Sequence, residues 1–141
     1  MTLCPCGTGR TFAQCCEPAL DGAPCASAEA LMRSRYCAYT RGNENHLFRT
    51  WHPRTRPQPP YCDPHIRWVG LEILSVEAGG EADDEGIVEF IASWELRHNE
   101  GGVRAAGGGS AGGAADQSGQ LHERSRFTRR AGRWVYVDGE E

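Results

Sequence analysis

Lysine is absent from this chain of 141 residues, and its fifteen basic residues are therefore all arginine. Nineteen acidic residues leave a net charge of −4, which disfavours a nucleic-acid phosphate backbone as the main partner. Long apolar runs are also absent: no segment approaches the ~20 residues of a membrane helix, and polar, glycine-rich sequence follows Met1 where a signal peptide would have its apolar core. We therefore expect a cytoplasmic protein of one domain, or one domain with a small appendage, that binds neither membranes nor nucleic acids.

Cysteine is concentrated at one end of the chain: the stretch "CPCGTGRTFAQCC" contains four of the seven cysteines. Disulfides are disfavoured because cytoplasmic thiols stay reduced, and because adjacent Cys15 and Cys16 could pair only through a strained ring. A redox pair usually has two residues between its cysteines, whereas Cys4 and Cys6 have one. A set of buried structural thiols would need a core, and residues 1–26 have few large apolar groups.

Metal binding is the explanation that remains for the four crowded thiols. Four thiolates can close a tetrahedron around zinc, and Gly7 and Gly9 free the backbone to bend after the first pair. Binding free energy of roughly 10–16 kcal/mol would then order a segment that could not order itself. The spacing, C-x-C-x8-C-C, is more specific than a loose count of cysteines.

The stretch resembles the SEC-C motif, the zinc-binding tail of the bacterial translocation ATPase and of various other proteins. In that family the tail docks to a chaperone and to ribosomes, and its pattern ends in Cys-His or, as here, Cys-Cys. The resemblance implies four metal ligands, which are Cys4, Cys6, Cys15 and Cys16. It implies zinc as the cofactor, with iron as the alternative because thiolate tetrahedra also suit it, and another protein as the partner.

Two helices are predicted after residue 26. Ser27 can cap the first and Gly42 can end it, and one face at helical spacing carries Leu31, Met32, Arg35, Tyr36 and Tyr39. Asn43 can cap a second helix that buries side chains including Phe48. Four prolines within residues 54–65 then predict a loop.

The second half of the chain predicts antiparallel strands. Residues 65–78 and 85–98 are rich in β-branched and aromatic side chains, and residues 120–139 predict a hairpin that turns near Ala131 and Gly132. Between them, residues 100–119 contain eight glycines and are expected to form a disordered insertion. We therefore predict an α+β fold in which a curved antiparallel sheet wraps around the N-terminal helices and leaves a cavity.

Four blocks of the sequence resemble the YchJ family: "EALMRSRYCAYTRGN", "TWHPRTRP", "GIVEFIASWELR" and "LHERSRFTRRAGRWVYVDG". Members of this family, largely uncharacterised, join an N-terminal SEC-C motif to a domain similar to nuclear transport factor 2, which is a cone of curved sheet and helices. The resemblance spans nearly the whole chain. It implies a metal-binding SEC-C segment at residues 1–26, displayed as a small knob on a cone-shaped α+β domain at residues 27–141.

The cone fold often contains a pocket, and strand alternation suggests which side chains line it here. Glu123 and Ser125 share one strand face, so Glu123 would point inward beside Arg35 of the first helix and form an ion pair with it. That pair has three interpretations: a structural link, a ligand-binding patch or a catalytic acid or base. The cavity residues predicted to bind a small molecule are Arg35, Trp51, Trp94, Glu123 and Ser125. No spacing among them specifies catalytic chemistry, so no catalytic residue is assigned.

The other thiols and the leading histidines carry weaker signals. Cys25, Cys37 and Cys62 are interpreted as incidental small apolar groups, and His52 and His122 as structural residues.

The sequence thus favours a non-catalytic interaction module that binds a metal ion and displays a SEC-C segment on a cone domain. The alternative is a small-molecule binding protein or enzyme that uses the cavity around Glu123 and Arg35. A third hypothesis, metal release on thiolate oxidation, is chemically feasible, but no feature of the sequence selects for it.

Overall fold

The structure is a computed structural model that describes residues 2–97 and 117–141. A 3-10 turn (Phe12–Gln14) is followed by three helices, α1 (Glu17–Leu20), α2 (Ala28–Arg41) and α3 (Glu44–Arg49), and by four strands, β1 (Ile66–Ala78), β2 (Glu85–Leu96), β3 (Ser118–Arg130) and β4 (Arg133–Glu140). The strands form one open antiparallel sheet in the order β1-β2-β3-β4. The predicted α+β class is confirmed. No helix within the described residues is long and apolar enough to cross a membrane.

The helix boundaries follow from capping residues. The Ser27 hydroxyl accepts the Ala30 N–H at 3.0 Å at the start of α2, and the Asn43 side chain accepts the His46 N–H at 3.0 Å at the start of α3. Each bond satisfies one of the amide groups that a helix start leaves without a partner. Gly42 ends α2 in the left-handed region at φ 69°, which glycine adopts without steric cost. All three predicted boundaries are confirmed.

Helix α2 lies against one face of the sheet. The register of β1 against β2 shifts twice, between Trp68 and Gly70 and between Ile73 and Ser75, and such bulges bend a strand and increase its twist. Helix α2 contacts β1, β2 and β4. The face of β2 that carries Val88, Phe90 and Ala92 is buried, so the core lies between this face and α2.

Two features of the sheet edges bear on the sequence predictions. The β3–β4 hairpin turns at Ala131 and Gly132, both with positive φ (54° and 81°), as predicted for a two-residue turn whose twist suits the flanking strands. Of the insertion predicted at 100–119, residues 100–116 lie outside the described residues. Ser118 and Gly119, which the sequence prediction included in the insertion, instead form the start of β3.

Phe48 was predicted to be buried by the second helix, and this prediction is wrong. Leu47 on the same helix is fully buried, whereas Phe48 is 43% exposed. The Arg56 guanidinium lies 3.7 Å from the centroid of the Phe48 ring. A cation stacked on the ring therefore covers part of Phe48 where the core does not.

Candidate metal centre

The backbone of the SEC-C segment forms a tight turn around the first cysteine pair. The Cys4 N–H donates to the Arg10 carbonyl at 2.8 Å, which closes the turn at its open end. Within it, Gly7 and Gly9 have φ values of 90° and 87°, which side-chain-bearing residues rarely adopt. The predicted bend after the first cysteine pair is confirmed.

The second cysteine pair stands between two short helical turns. The Cys15 N–H donates to the Phe12 carbonyl at 3.1 Å and so closes the 3-10 turn. Cys16 is the N-cap of α1, and its carbonyl accepts the Leu20 N–H at 3.1 Å. Both cysteines are thus held by local backbone bonds rather than by a core of the segment's own.

The sulfur atoms of the four predicted ligands converge. The Sγ atoms of Cys4, Cys6, Cys15 and Cys16 all lie within 4.8 Å of one another. Cys6 and Cys15 Sγ are 3.6 Å apart, and Cys15 and Cys16 Sγ are 3.9 Å apart. With metal–sulfur bonds of about 2.3 Å, neighbouring sulfurs of a tetrahedral site are about 3.8 Å apart. The donor set and its spacing therefore fit a tetrahedrally bound metal ion.

Burial and mutual hydrogen bonding make these thiols unequal. Cys4, Cys6 and Cys16 are at most 4% exposed, and all seven cysteines are free thiols. Hydrogen bonds from the Cys16 and Cys37 thiols lower the pKa of Cys6 well below its ordinary value. Hydrogen bonds with Cys37 and Cys6, together with burial, raise the pKa of Cys16. One thiolate is thus stabilised by protonated neighbours, whereas ionising all four thiols requires a cation among them.

Polar groups lie next to the four-cysteine cluster. The Thr8 hydroxyl lies 3.2 Å from Cys15 Sγ. Arg33 of α2 donates to the Cys6 carbonyl at 2.7 Å and pairs with Glu29 at 3.0 Å. A guanidinium beside the turn favours thiolate charge and ties the SEC-C segment to α2.

A fifth thiol lies at the same place, and the sequence prediction missed it. Cys37 of α2 is fully buried, and its Sγ lies 3.5 Å from Cys4 Sγ. Cys37 is thus buried as a small core residue, as the sequence prediction has it, and in addition contacts the four-cysteine cluster. Its position on a helix outside the motif gave no signal, because only the packing of the segment on α2 brings the two sulfurs together.

A cavity of about 230 Å³ lies between α2 and the sheet. Four of the five residues predicted for it line it: Arg35, Trp51, Glu123 and Ser125. Its other walls are mostly apolar or aromatic, and include Tyr39, Trp68, Phe90, Leu121 and Tyr136. The predicted inward face of β3 is thus confirmed, and ligand binding by these residues stays a prediction.

Trp94, the fifth residue predicted for the cavity, does not line it. In the β2–β3 register it stands opposite Gly119. A Cβ atom at position 119 would lie 2.8 Å from the Trp94 ring, so the indole packs directly over the glycine backbone.

The predicted ion pair between Arg35 and Glu123 is absent from the described residues, and that prediction is wrong. Arg35 is 3% exposed and donates to the Thr50 hydroxyl at 2.7 Å and to the Leu47 carbonyl at 3.2 Å. Its guanidinium stacks on the rings of Trp51 and Tyr136, whose centroids lie 4.8 and 4.6 Å away. Glu123 accepts hydrogen bonds from Ser125 and Tyr136, both at 2.7 Å. Neutral hydrogen-bond partners therefore satisfy the Arg35 guanidinium and the Glu123 carboxylate separately. Neither group needs the other as an ion-pair partner.

His46 is a second residue that the sequence prediction overlooked. It is 2% exposed, and its Nε2 lies 2.9 Å from the Ser34 hydroxyl. Ser34 donates its own proton to the Leu31 carbonyl at 2.8 Å, so Nε2 carries the proton of the imidazole and Nδ1 is left without a partner in the described residues. Burial lowers the pKa of His46 to about 4. The pair is thus a structural link between α2 and α3 rather than an activated serine.

Comparison with known families accounts for most of the chain. Residues 2–18 match the SEC-C motif, and residues 27–139 match the middle, NTF2-like domain of YchJ. The first match contains all four clustered cysteines, and the second contains α2, α3 and the sheet up to Gly139 of β4.

Whole-length relatives agree with these matches. A UPF0225 protein of Streptomyces coelicolor is 44% identical over 97% of this chain and 94% of its own. Another, of Chromobacterium violaceum, is 44% identical over 96% and 90%. The solution structure of a SEC-C motif containing protein from Rhodopseudomonas palustris has 33% identity and a TM-score of 0.70, over 97% of this chain and 96% of that one. The chain therefore belongs to the YchJ (UPF0225) family, with an N-terminal SEC-C motif followed by an NTF2-like domain.

Proposed function

We propose that this chain is a zinc-binding, non-catalytic interaction protein whose SEC-C segment docks to another protein. The observation that carries the proposal is the convergence of four cysteine sulfurs within 4.8 Å. A site closed by four thiolates has no open coordination position for water or substrate, which is the arrangement of structural zinc. The metal would therefore organise a surface rather than perform a reaction.

Cys4, Cys6, Cys15 and Cys16 would hold the ion, and bound zinc would supply roughly 10–16 kcal/mol of folding free energy to the segment. The backbone hydrogen bonds of the turn at Gly7 and Gly9 and of the two short helical turns stay within the segment. Iron is the alternative occupant, because thiolate tetrahedra suit it as well. A reducing compartment such as the cytoplasm would keep the ligands as thiols when the metal is absent.

The surface that such an ion would order contains an apolar and a basic group. Leu3 is 62% exposed, and Arg10 is exposed on the same turn, where its guanidinium donates to the Gln14 carbonyl. A large apolar side chain and an arginine on a rigid turn are the kind of residues that protein–protein contacts use. We therefore propose that a protein partner binds at Leu3 and Arg10.

Partner capture with chemical crosslinking tests this proposal. The variant Leu3→Ser with Arg10→Ser should keep its metal and lose most of its crosslinked partner, because the two contacting side chains are gone while the ligands remain. Cys15→Ser with Cys16→Ser should lose both metal and partner. Val69→Ser, which changes an exposed residue on the far side of the sheet, serves as the matched control and should retain both. Identical partners for the wild type and the metal-ligand variant would contradict the docking function.

A second candidate function rests on the charge of Arg35. Its guanidinium lines the cavity, is 3% exposed, and makes no ion pair within the described residues. A buried cation of this kind favours an anionic group beside it, and the Glu123 carboxylate on the same cavity wall favours a donor. We therefore propose, as the second candidate, a small apolar or aromatic amino acid or hydroxy acid as ligand.

Thermal unfolding with a panel of aromatic and branched amino acids and hydroxy acids tests the cavity. A ligand at 100 times its dissociation constant stabilises the folded protein by about 2.7 kcal/mol, which raises Tm by on the order of 10 °C for a chain of this size. Glu123→Gln should remove most of the shift caused by amino acids, whereas Glu72→Gln on the exposed side of β1 should preserve it. A panel without any stabilising member would count against this function.

A further inference from the structure

The fifth thiol, Cys37, stands outside the motif that supplies the other four. Residues 2–18 match the SEC-C motif. Cys37 belongs to α2 and lies 19 positions after the last residue of that match. It is fully buried, and its Sγ is 3.5 Å from Cys4 Sγ. A contact of this length between two sulfurs is within hydrogen-bonding range, and a protonated thiol can donate to a thiolate.

Charge at the site makes such a donor useful. A divalent ion with four thiolates leaves a net charge of −2 in a cluster that is largely removed from water. Groups that donate to metal-bound ligands lower this cost and orient the ligands. The Thr8 hydroxyl is placed to donate to Cys15, and the Thr8 backbone N–H faces Cys6. Cys37 Sγ lies 3.5 Å from Cys4 Sγ, and the Cys37 thiol also hydrogen-bonds Cys6 and Cys16 of the same cluster.

We propose that Cys37 is a positioning residue of the metal centre: its S–H donates to the Cys4 thiolate and slows the release of the metal ion. This inference rests on the proposed metal binding. Cys37 keeps its proton and is not a ligand, because the other four thiols already complete a tetrahedron. Since Cys37 belongs to the rigid helix α2, the bond also couples occupancy of the SEC-C segment to the cone domain.

Transfer of zinc from the full-length protein to a chromogenic chelator measures this effect. Cys37→Val removes the donor and is larger than cysteine by roughly one methyl group, and it should release zinc 10–100-fold faster, as is typical when an outer partner of a metal ligand is removed. Cys37→Ser restores a donor and should release zinc at close to the wild-type rate. Cys25→Ala, which changes a thiol outside the four-cysteine cluster, should behave like the wild type.

The outcomes separate this inference from the proposed function. Metal content of the wild type reports on metal binding itself, and the ratio of release rates reports on Cys37. Equal release rates for the wild type and Cys37→Val would overturn the inference, as would rates that rise equally in Cys37→Val and Cys37→Ser. With cobalt in place of zinc, the thiolate-to-metal charge-transfer intensity should be the same for the wild type and Cys37→Val. A loss of intensity would show that Cys37 is a ligand, and would overturn the assignment as a hydrogen-bond donor.

Discussion

Purified, reduced protein is expected to carry about one zinc ion per chain, and the variant Cys15→Ser with Cys16→Ser to carry none. Two serines leave two thiolates, which cannot close the tetrahedron that structural zinc requires. The binding free energy of roughly 10–16 kcal/mol is then lost from the folded state. Metal analysis by mass spectrometry measures the content, and hydrogen exchange of residues 2–20 measures the loss of order.

The control for this prediction is Cys62→Ser, which changes a half-buried thiol outside the cluster. It should keep the metal and the protection of residues 2–20. Finding iron in the wild type would keep the site and change its occupant. Finding no metal in freshly purified wild-type protein would refute the metal centre, and with it the proposal that a metal organises the docking surface.

Acid is expected to destabilise the protein through His46, by about 3 kcal/mol between pH 6.5 and pH 4. Burial lowers the pKa of His46 to about 4 in the folded protein from an ordinary value of 6.5. Below pH 6.5 the unfolded chain binds a proton that the folded protein does not bind until about pH 4. The contribution of His46 to stability is therefore undiminished above pH 6.5 and decreases as the pH falls through this window.

Urea unfolding at several pH values, for the wild type and for His46→Gln, isolates this effect. Glutamine cannot titrate, so the free energy of unfolding of the variant should depend less steeply on pH between 6.5 and 4. Loss of metal in acid affects both proteins and cancels in the comparison. His65→Gln, at an exposed position, should follow the wild-type curve. Parallel curves for the wild type and His46→Gln would show that His46 titrates normally.

Local rules predicted much of the fold. Ser27 and Asn43 mark helix starts because their side chains accept a free backbone N–H. Gly42 marks a helix end because glycine adopts the left-handed backbone conformation there. Ala131 and Gly132 mark a turn for a similar reason. The alternation of β3 places Glu123 on the cavity side, because side-chain direction in a strand depends only on the count of residues.

Contacts between distant elements could not be predicted in the same way. The Arg35 side chain is long enough to reach several acceptors, and its guanidinium donates to the Thr50 hydroxyl and stacks on the Tyr136 ring. Trp94 has the strand face of the cavity residues, but its indole packs over Gly119 of the neighbouring strand. His46 had no sequence signal, because its burial depends on how α3 packs against α2.

The sequence by itself determined the spacing of the four cysteines, the helix caps, the hairpin turn and the inward face of the sheet, since each depends on neighbours along the chain. Only the tertiary structure decided that Cys37 lies 3.5 Å from Cys4, that Arg35 and Glu123 have separate partners and that His46 is buried. These contacts join residues on different elements, and packing brings such elements together at distances that no local pattern encodes.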